Sequence, residues 1–103
     1  MEIEEIKSVE IGDVYESPTN PRKYFDKAKM KELEESIKEK GIVVPLIARH
    51  KPMDGEGSPR FELIVGARRF RAGKAVGLKE LPVIFRDLSD EEVKEIQLIE
   101  KIS

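Results

Sequence analysis

The sequence predicts a small α+β domain in which three helices surround a small mixed β-sheet. Short apolar runs rich in β-branched residues, typical of buried strands, occur between segments whose apolar residues recur at spacings of three and four, typical of helices. The predicted order is β-loop-α-β-β-α-β-α, which is an α+β arrangement. With 103 residues, 39% of them hydrophobic, the chain has enough apolar surface for one core and so for one domain.

The first strand and the loop after it occupy the N-terminal part of the chain. Apolar and polar residues alternate over residues 7–11 and predict a strand there. Residues 16–22 are predicted to form a loop because they contain two prolines and an Asn-Pro pair, which prevent regular structure. Tyr24 and Phe25 follow, and we expect both rings to anchor this loop to the core.

The first helix is predicted over residues 27–40. Asp26 before it is a favourable N-cap, and Gly41 after it is the expected C-terminal glycine. The apolar residues form one narrow stripe at helical spacing: Met30, Leu33 and Ile37. One face of this helix should therefore lie against the rest of the domain.

Two successive strands are predicted in the middle of the chain. The first covers residues 46–49, with Pro45 just before it, and the second covers residues 61–65. Residues 51–60 contain two prolines and two glycines and are predicted to form a long, mobile hairpin loop between the two strands.

The next two elements are a helix and a strand. The helix is predicted over residues 67–76, with Phe70 as its main core residue and Gly77 at its end. The strand is predicted over residues 81–85.

The last element is a helix that starts from a capping box. Ser89 is the N-cap and Glu92 lies three residues later, and the helix is predicted to run to about Ile102. Its apolar residues cover more than one stripe: Val93, Ile96, Leu98, Ile99 and Ile102. We therefore expect this helix to contact a second surface, and self-association through it is one way to provide that surface.

The composition excludes several classes of protein. The 19 basic and 21 acidic residues give a formal charge of −2, which argues against a DNA-binding module that acts through charge alone. The chain has no cysteine, which excludes disulfides and thiol chemistry and fits a reducing cytoplasm. No apolar run is long enough to span a membrane, and the N-terminus lacks the features of a secretory signal. We therefore expect a cytoplasmic protein with no membrane partner.

The junction after the strand at residues 61–65 is the strongest candidate for a binding site. Gly66 ends the strand, and the helix after it begins at once with Arg68, Arg69 and Arg71. Cations are favoured at the C-termini of helices and not at their N-termini, so these arginines need an explanation. One explanation is a phosphate held by the free N–H groups of the helix and by guanidinium forks. The other is that the arginines are solvated or paired with glutamates.

Three segments carry a resemblance to a known family. They come in the order and spacing of the ParB N-terminal domain: Asn20-Pro21-Arg22, Gly41-Ile42-Val43-Val44-Pro45-Leu46 and Gly66-Ala67-Arg68-Arg69-Phe70-Arg71-Ala72. The tail from Gln97 to Lys101 is similar to the start of the family's last motif, so the resemblance extends over nearly the whole chain. It implies a ParB/sulfiredoxin-like fold and a chromosome or plasmid partition protein associated with the nucleoid.

The resemblance also implies a function for the glycine-arginine junction. In this family the domain binds CTP with Mg²⁺, and nucleotide binding closes a dimer into a clamp around DNA. Residues 1–103 correspond to this nucleotide-binding domain alone, because the DNA-reading and C-terminal dimerisation domains are absent from the sequence; a partition ATPase is a further partner. The implied nucleotide-binding residues are Gly66, Ala67, Arg68, Arg69, Arg22, Gly41, Val44 and Pro45.

Three positions depart from the family's motifs. Ala67 replaces a common glutamate, Lys101 a common asparagine and Val44 a frequent glutamine. The resemblance places the first two positions near the triphosphate and the metal, so it stays open whether the domain coordinates Mg²⁺ and whether it hydrolyses the nucleotide. Val44 leaves open whether the ligand is CTP or another nucleotide. Glu100 is implied as a metal ligand or as the catalytic base that orients water. Without the resemblance, Glu100 would be one of many solvated glutamates.

Other functions stay open from the sequence. Sulfiredoxin activity is excluded, because it needs a reactive cysteine and the chain has none. A slow CTPase, a nucleotide-dependent amino-acid kinase or a nuclease on the same fold, and a plain DNA-binding module are alternatives. The single histidine, His50, is expected to be exposed and not catalytic, because no serine or carboxylate partner is suggested beside it.

Overall fold

A computed structural model of the protein describes residues 4–21, 24–53 and 59–102 and, for residues 100–102, the backbone only. Its strands form one mixed sheet and are β1 (Ile6–Glu10), β2 (Val14–Glu16), β3 (Leu46–His50), β4 (Phe61–Val65) and β5 (Glu80–Phe85). The order across the sheet is β1-β5-β3-β4-β2. The pairs β1–β5 and β3–β4 are antiparallel, whereas β5–β3 and β4–β2 are parallel. The mixed sheet confirms the predicted α+β class.

The three predicted helices are present as α1 (Lys27–Lys40), α2 (Ala67–Ala75) and α3 (Asp90–Ile102). Two of them begin at the predicted caps. Asp26 Oδ1 accepts a hydrogen bond from the backbone N–H of Ala28 at 3.1 Å. Ser89 and Glu92 form a reciprocal capping box, with distances of 3.0 and 3.2 Å. α1 packs against α2, and Ile37 of its predicted apolar stripe is buried.

One face of the sheet carries the main hydrophobic core. Successive residues of a strand lie on opposite faces, so alternate side chains of the central strands reach this core. Phe70 of α2 is 2% exposed and lies at its centre, as predicted. The cluster consists of Val14, Leu46, Ala48, Phe61, Leu63, Phe70, Leu81 and Val83.

The opposite face of the sheet is covered by α3 and is more polar. α3 contacts β4, and its Val93 is fully buried. Arg49 of β3 and Glu62 of β4 lie opposite each other and are both buried. Because strand residues alternate between faces, these two side chains lie on the face away from the main core.

The outer side of α3 carries two exposed apolar side chains. Leu98 and Ile99 are 60% and 65% exposed. The predicted excess of apolar positions on this helix is therefore confirmed for residues 93–99, while the side chain of Ile102 lies outside the described part. Within the residues that the structure describes, no helix is long and apolar enough to cross a membrane.

Two expectations about the N-terminal region are wrong. The sequence does not predict β2, because three residues are too few to show an alternating pattern; the strand forms through parallel pairing with β4 and burial of Val14. Tyr24 does not anchor the preceding loop of residues 16–22, since it is 80% exposed, whereas Phe25 is buried as predicted. The predicted mobile hairpin loop falls largely on residues 54–58, which lie outside the described residues.

Candidate functional site

Gly66 forms the corner between β4 and α2. Its φ of 110° lies in the left-handed region, where side chains other than hydrogen are strained. A Cβ on this residue would lie 2.7 Å from Leu46 Cδ2 and 3.2 Å from Arg69 Nη2. The corner is therefore a close approach of three chain segments that a glycine permits.

The first turn of α2 presents backbone N–H groups at this corner. Gly66 is the N-cap and provides no side-chain cap, and the first bond of the helix runs from the N–H of Phe70 to the carbonyl of Gly66 at 2.9 Å. The N–H groups of Ala67, Arg68 and Arg69 precede that bond and lie at the positive end of the helix dipole. This arrangement is suited to phosphate oxygens.

Arg69 connects the corner to the segment that leads into β3. Its Nη1 donates hydrogen bonds to the backbone carbonyls of Val44 and Pro45, the latter at 3.3 Å. Val44 is 63% exposed, so the surface beside this contact is partly apolar. The structure thus brings together Gly66, Arg69, Val44 and Pro45, which the family resemblance assigns to one site.

Arg68 differs from Arg69 in its surroundings. It is half-buried, and its guanidinium forms no ion pair or hydrogen bond with any described residue. Pairing with a glutamate is therefore excluded for Arg68 within the described part, which leaves solvation or an external anion. A cation held at a helix N-terminus without a described partner is suited to an external anion.

Of the two small residues assigned to the site, Ala67 lies in the first turn of α2, whereas Gly41 ends α1. Gly41 has a φ of 73° and donates its N–H to the carbonyl of Ile37 at 2.7 Å, which ends α1 four residues before Pro45. Ala67 packs against the core and has no polar side-chain group. Ala67 can therefore contact an anion only through its N–H.

Arg71 has a different role from the other two arginines. Its Nε donates to the two carboxylate oxygens of Glu16 at 3.0 and 3.1 Å, and its guanidinium carbon lies 4.5 Å from the centre of the Phe25 ring. Glu16 ends β2 and Phe25 immediately precedes the cap of α1. Arg71 therefore holds both ends of the loop between them, which fits the paired alternative and not a phosphate contact.

The remaining predicted residues are only partly described. Arg22 lies outside the described residues, and so does the side chain of Glu100. Among the residues that the structure describes, no group of three or more His, Asp or Glu side chains could hold a metal ion. His50 is exposed, as expected, and stacks on Phe85 with ring centres 4.5 Å apart.

A buried ion pair beneath α3 is not apparent from the sequence. Arg49 Nε donates to Glu62 Oε1 at 2.7 Å, and the two residues are 7% and 2% exposed. Arg49 also donates at 2.7 Å to the carbonyl of Leu88 and to Asp90 Oδ1, while Glu62 accepts from Ser17 Oγ at 2.5 Å. The sequence contains one sign of this pair, because each of the two otherwise apolar strands contains one charged residue. A charged residue in a buried strand requires a partner.

The electrostatics at the start of α3 follow from these contacts. Hydrogen bonds from Arg49 and then Lys51 hold the pKa of Asp90 below its usual value. Burial acts to lower the pKa of Arg49, but its bonds to Asp90 and Glu62 outweigh that effect and the pKa is raised. The backbone N–H and the hydroxyl of Ser89 lower the pKa of Glu92. Charged forms are thus favoured throughout this end of the helix.

Together, the mixed sheet and the Gly66 corner define an α+β domain with a site suited to a phosphate-type anion. The family model of the ParB N-terminal domain matches residues 1–102. The chromosome-partitioning protein ParB of Myxococcus xanthus is 41% identical over 92 residues, which are 89% of this chain and 29% of that protein. The chain therefore belongs to the ParB N-terminal domain family and spans about a third of the length of the curated relatives it matches.

Solved structures agree with this assignment. The C-terminally truncated ParB of Caulobacter crescentus complexed with CTP-γ-S has a TM-score of 0.84 and 32% identity, covering 95% of this chain and 53% of that one. The same protein complexed to the centromeric parS site has a TM-score of 0.78 and 28% identity, covering 93% and 46%. Sulfiredoxin from Arabidopsis thaliana has a TM-score of 0.67 and 23% identity, covering 89% and 96%, which shows the shared fold alone. The predicted ParB/sulfiredoxin-like fold is confirmed.

Proposed function

We propose that this chain is the nucleotide-binding domain of a ParB-type DNA partition protein and that it binds CTP at the Gly66 corner as a switch. The observation that carries the proposal is the corner itself, where a glycine admits no side chain, the start of α2 is uncapped and Arg68 has no described partner. The CTP-γ-S in the Caulobacter crescentus structure supports a nucleotide as the anion, because that protein shares the fold and 32% of the sequence.

Each residue of the corner has a role in this proposal. The N–H groups of Ala67 and its neighbours and the guanidinium of Arg68 hold phosphate oxygens. Arg69 keeps the segment at Val44 and Pro45 against the corner, so that the exposed Val44 side chain packs on the base. Bound CTP supplies the negative charge that the corner lacks. The described residues contain no acidic cluster for Mg²⁺, and the roles of Glu100 and Arg22 stay predictions.

A titration of the four nucleoside triphosphates by calorimetry, with and without Mg²⁺, tests the proposal. We expect triphosphate binding that persists without Mg²⁺, because the corner offers cationic and N–H donors of its own, and we expect CTP to bind more tightly than the other three. Failure of every nucleotide to bind at millimolar concentration would contradict the proposed site, and equal affinities would contradict the choice of CTP.

Hydrolysis by this domain should be slow or absent. Ala67 and Lys101 replace polar groups that the family resemblance places near the phosphates and the metal. A phosphate-release assay with CTP and DNA measures the rate. Turnover near the median for enzymes, about ten per second, would instead favour the alternative of an enzyme on the same fold, such as an amino-acid kinase or a nuclease.

The wider setting belongs to the same proposal. Relatives of this chain are chromosome-partitioning proteins, and one has been solved with the centromeric parS site. We propose that the whole protein acts on DNA in the cytoplasm, at the nucleoid, with a partition ATPase as a further partner. DNA reading is assigned to a domain outside these 103 residues, which carry a formal charge of −2.

A further inference from the structure

Two segments beside the sheet lead to predicted site residues without being strands of it. One is the loop that starts at Ser17 and leads to Arg22, and the other is α3, which leads to Glu100. Both depend on contacts to the sheet for their position. The contacts that hold them converge on one side chain, Glu62, which lies on β4 four residues before Gly66.

Glu62 is held on both of its carboxylate oxygens. Oε1 accepts from Arg49 Nε at 2.7 Å, and Oε2 accepts from Ser17 Oγ at 2.5 Å. Ser17 and Glu62 are each 2% exposed. A buried carboxylate with a cation on one oxygen and a hydroxyl on the other is satisfied only while both partners stay in place, and loss of either leaves a costly unpaired group.

The Arg49 side of this pair reaches the start of α3. The same guanidinium donates through Nη1 to the carbonyl of Leu88 and through Nη2 to Asp90 Oδ1, both at 2.7 Å. Leu88 and Asp90 flank the N-cap of the helix. The ion pair therefore fixes where α3 begins on the sheet.

The Ser17 side of the pair reaches the middle of α3. Ser17 Oγ lies 2.9 Å from Thr19 Oγ1, which in turn lies 2.8 Å from the side-chain amide of Gln97. With the amide oxygen facing Thr19, Gln97 Nε2 is buried without a partner among the described residues. Each hydroxyl has one proton, and Ser17 gives its proton to Glu62.

The donor and acceptor of each hydrogen bond between Glu62 and Gln97 follow from the single proton of each hydroxyl. Because Ser17 donates to Glu62, the short contact between the two hydroxyls is a hydrogen bond only if Thr19 donates to Ser17. Thr19 then has to accept from Gln97, which requires the amide nitrogen and not the oxygen to face it. Half a turn of the amide lets Nε2 donate to Thr19, so that each of the three contacts from Gln97 to Glu62 has one donor and one acceptor.

We propose that Glu62 is a positioning residue that couples the loop of residues 17–21 to α3 as one unit beside the Gly66 corner. The hydrogen bonds form a closed ring, from Glu62 through Ser17 and Thr19 to Gln97, along α3 to Asp90, and back through Arg49. Opening any link loosens the loop and the helix together, even though residues 19 and 97 are far apart in sequence. The consequence for ligand binding rests on the proposed nucleotide function, whereas the coupling itself does not.

Hydrogen exchange of the ligand-free domain tests the coupling. Thr19→Val keeps the shape of the side chain and removes the hydroxyl that joins the loop to the helix. We expect backbone exchange about tenfold faster both in residues 17–21 and in residues 93–97, as for loss of one hydrogen bond, with the core strands unchanged. One Gln97 side-chain amide proton should be protected in the parent and lose that protection in the variant.

Two controls separate coupling from a loss of general stability. Val83→Ala removes core volume on the other face and should raise exchange everywhere without a local effect at the loop and α3. Gln97→Leu breaks the same link from the helix side and should reproduce the Thr19→Val pattern in the loop. Faster exchange confined to the mutated segment in both variants, or an unprotected Gln97 amide in the parent, would overturn the proposal.

A nucleotide titration of the same variants separates this inference from the proposed function. If CTP binds the parent, we expect Thr19→Val to weaken it severalfold and Val83→Ala to leave it unchanged. Unchanged affinity in Thr19→Val would overturn the claim that the unit serves the corner. If no nucleotide binds the parent, the proposed function fails, and the exchange data alone decide the coupling.

Discussion

Position 66 requires glycine for two separate reasons. Its φ of 110° disfavours any side chain, and a Cβ would also collide with Leu46. Gly77 shares the first requirement, with a φ of 82°, but has nothing within 4 Å of a Cβ position. The two residues therefore allow backbone strain and steric collision to be measured apart.

Replacement of Gly66 by alanine should cost more stability than replacement of Gly77. Strain at positive φ costs about 1–3 kcal/mol, and a collision in a packed site adds roughly 1–3 kcal/mol. Urea denaturation monitored by circular dichroism gives both free energies of unfolding. An equal loss in Gly66→Ala and Gly77→Ala would show that Leu46 and Arg69 move aside without cost.

The arginines of α2 should separate by function. Arg69→Ala removes a charge from the corner and releases the segment at Val44, so nucleotide affinity should fall at least tenfold, the loss of one charge-assisted contact worth about 1.5–3 kcal/mol. Arg71→Ala should instead reduce stability through loss of Glu16 and Phe25 contacts, with a smaller effect on affinity. Calorimetry on both variants measures this difference. Unchanged affinity in Arg69→Ala would remove Arg69 from the site.

At the residue scale, the sequence reveals the corner but not the ring of polar contacts beneath α3. A glycine between a strand and an arginine-rich helix start is a local pattern, so Gly66 and its neighbours can be identified without a structure. Arg49 and Glu62 are separated by a loop, and the sequence around either residue does not identify its partner. The role of Arg71 is missed for the same reason, because Glu16 is 55 residues away.

At the scale of elements, α3 combines a polar attachment with an apolar outer side. Its start is fixed by Arg49 and by the capping box, and its middle by Val93 and Gln97. Helix periodicity predicts such an element well, since the caps and the apolar spacing are local. β2 shows the limit, because its three residues become a strand only through pairing with β4.

Acid should weaken the attachment of α3. The pKa values of Asp90 and Glu92 are lowered in the folded protein from usual values of 3.8 and 4.5. Groups with lowered values contribute stability that is complete above those usual values and is lost as the pH falls through the folded-state values. The urea concentration at the unfolding midpoint, measured between pH 7 and pH 2, should therefore decrease as the pH falls below these usual pKa values. Asp90→Asn should be less stable at pH 7, and its midpoint should decrease less with falling pH. A pH profile identical to that of the parent protein would show that Asp90 does not contribute to the acid sensitivity.

At the scale of the whole molecule, the exposed apolar side of α3 predicts association. Burial of Leu98 and Ile99 is worth roughly 3–6 kcal/mol of gross hydrophobic free energy, enough to offset an ordering cost of similar size. Nucleotide should favour association and association should favour nucleotide by the same factor, because the two equilibria are linked. Sedimentation velocity with and without CTP measures both.

The two variants for this prediction each introduce a lysine at an exposed position. Ile99→Lys on α3 should abolish association, whereas Glu35→Lys, which changes an exposed polar position on α1, should retain it. A strict monomer in both nucleotide states, together with an Ile99→Lys variant of unchanged solubility, would show that the outer side of α3 needs no partner.

The position of β1 has a consequence for how the chain folds. β1 pairs only with β5 in the described structure, and the bond between the side chains of Ser8 and Glu80 joins residues 72 apart in sequence. Such distant pairing carries a large loop-closure cost and slows folding. During synthesis, β1 leaves the ribosome early but has no partner strand until β5 has followed. The strand of this sheet that is made first is therefore among the last to be placed, and its charged Lys7 and Glu10 keep it from pairing with other chains in the meantime.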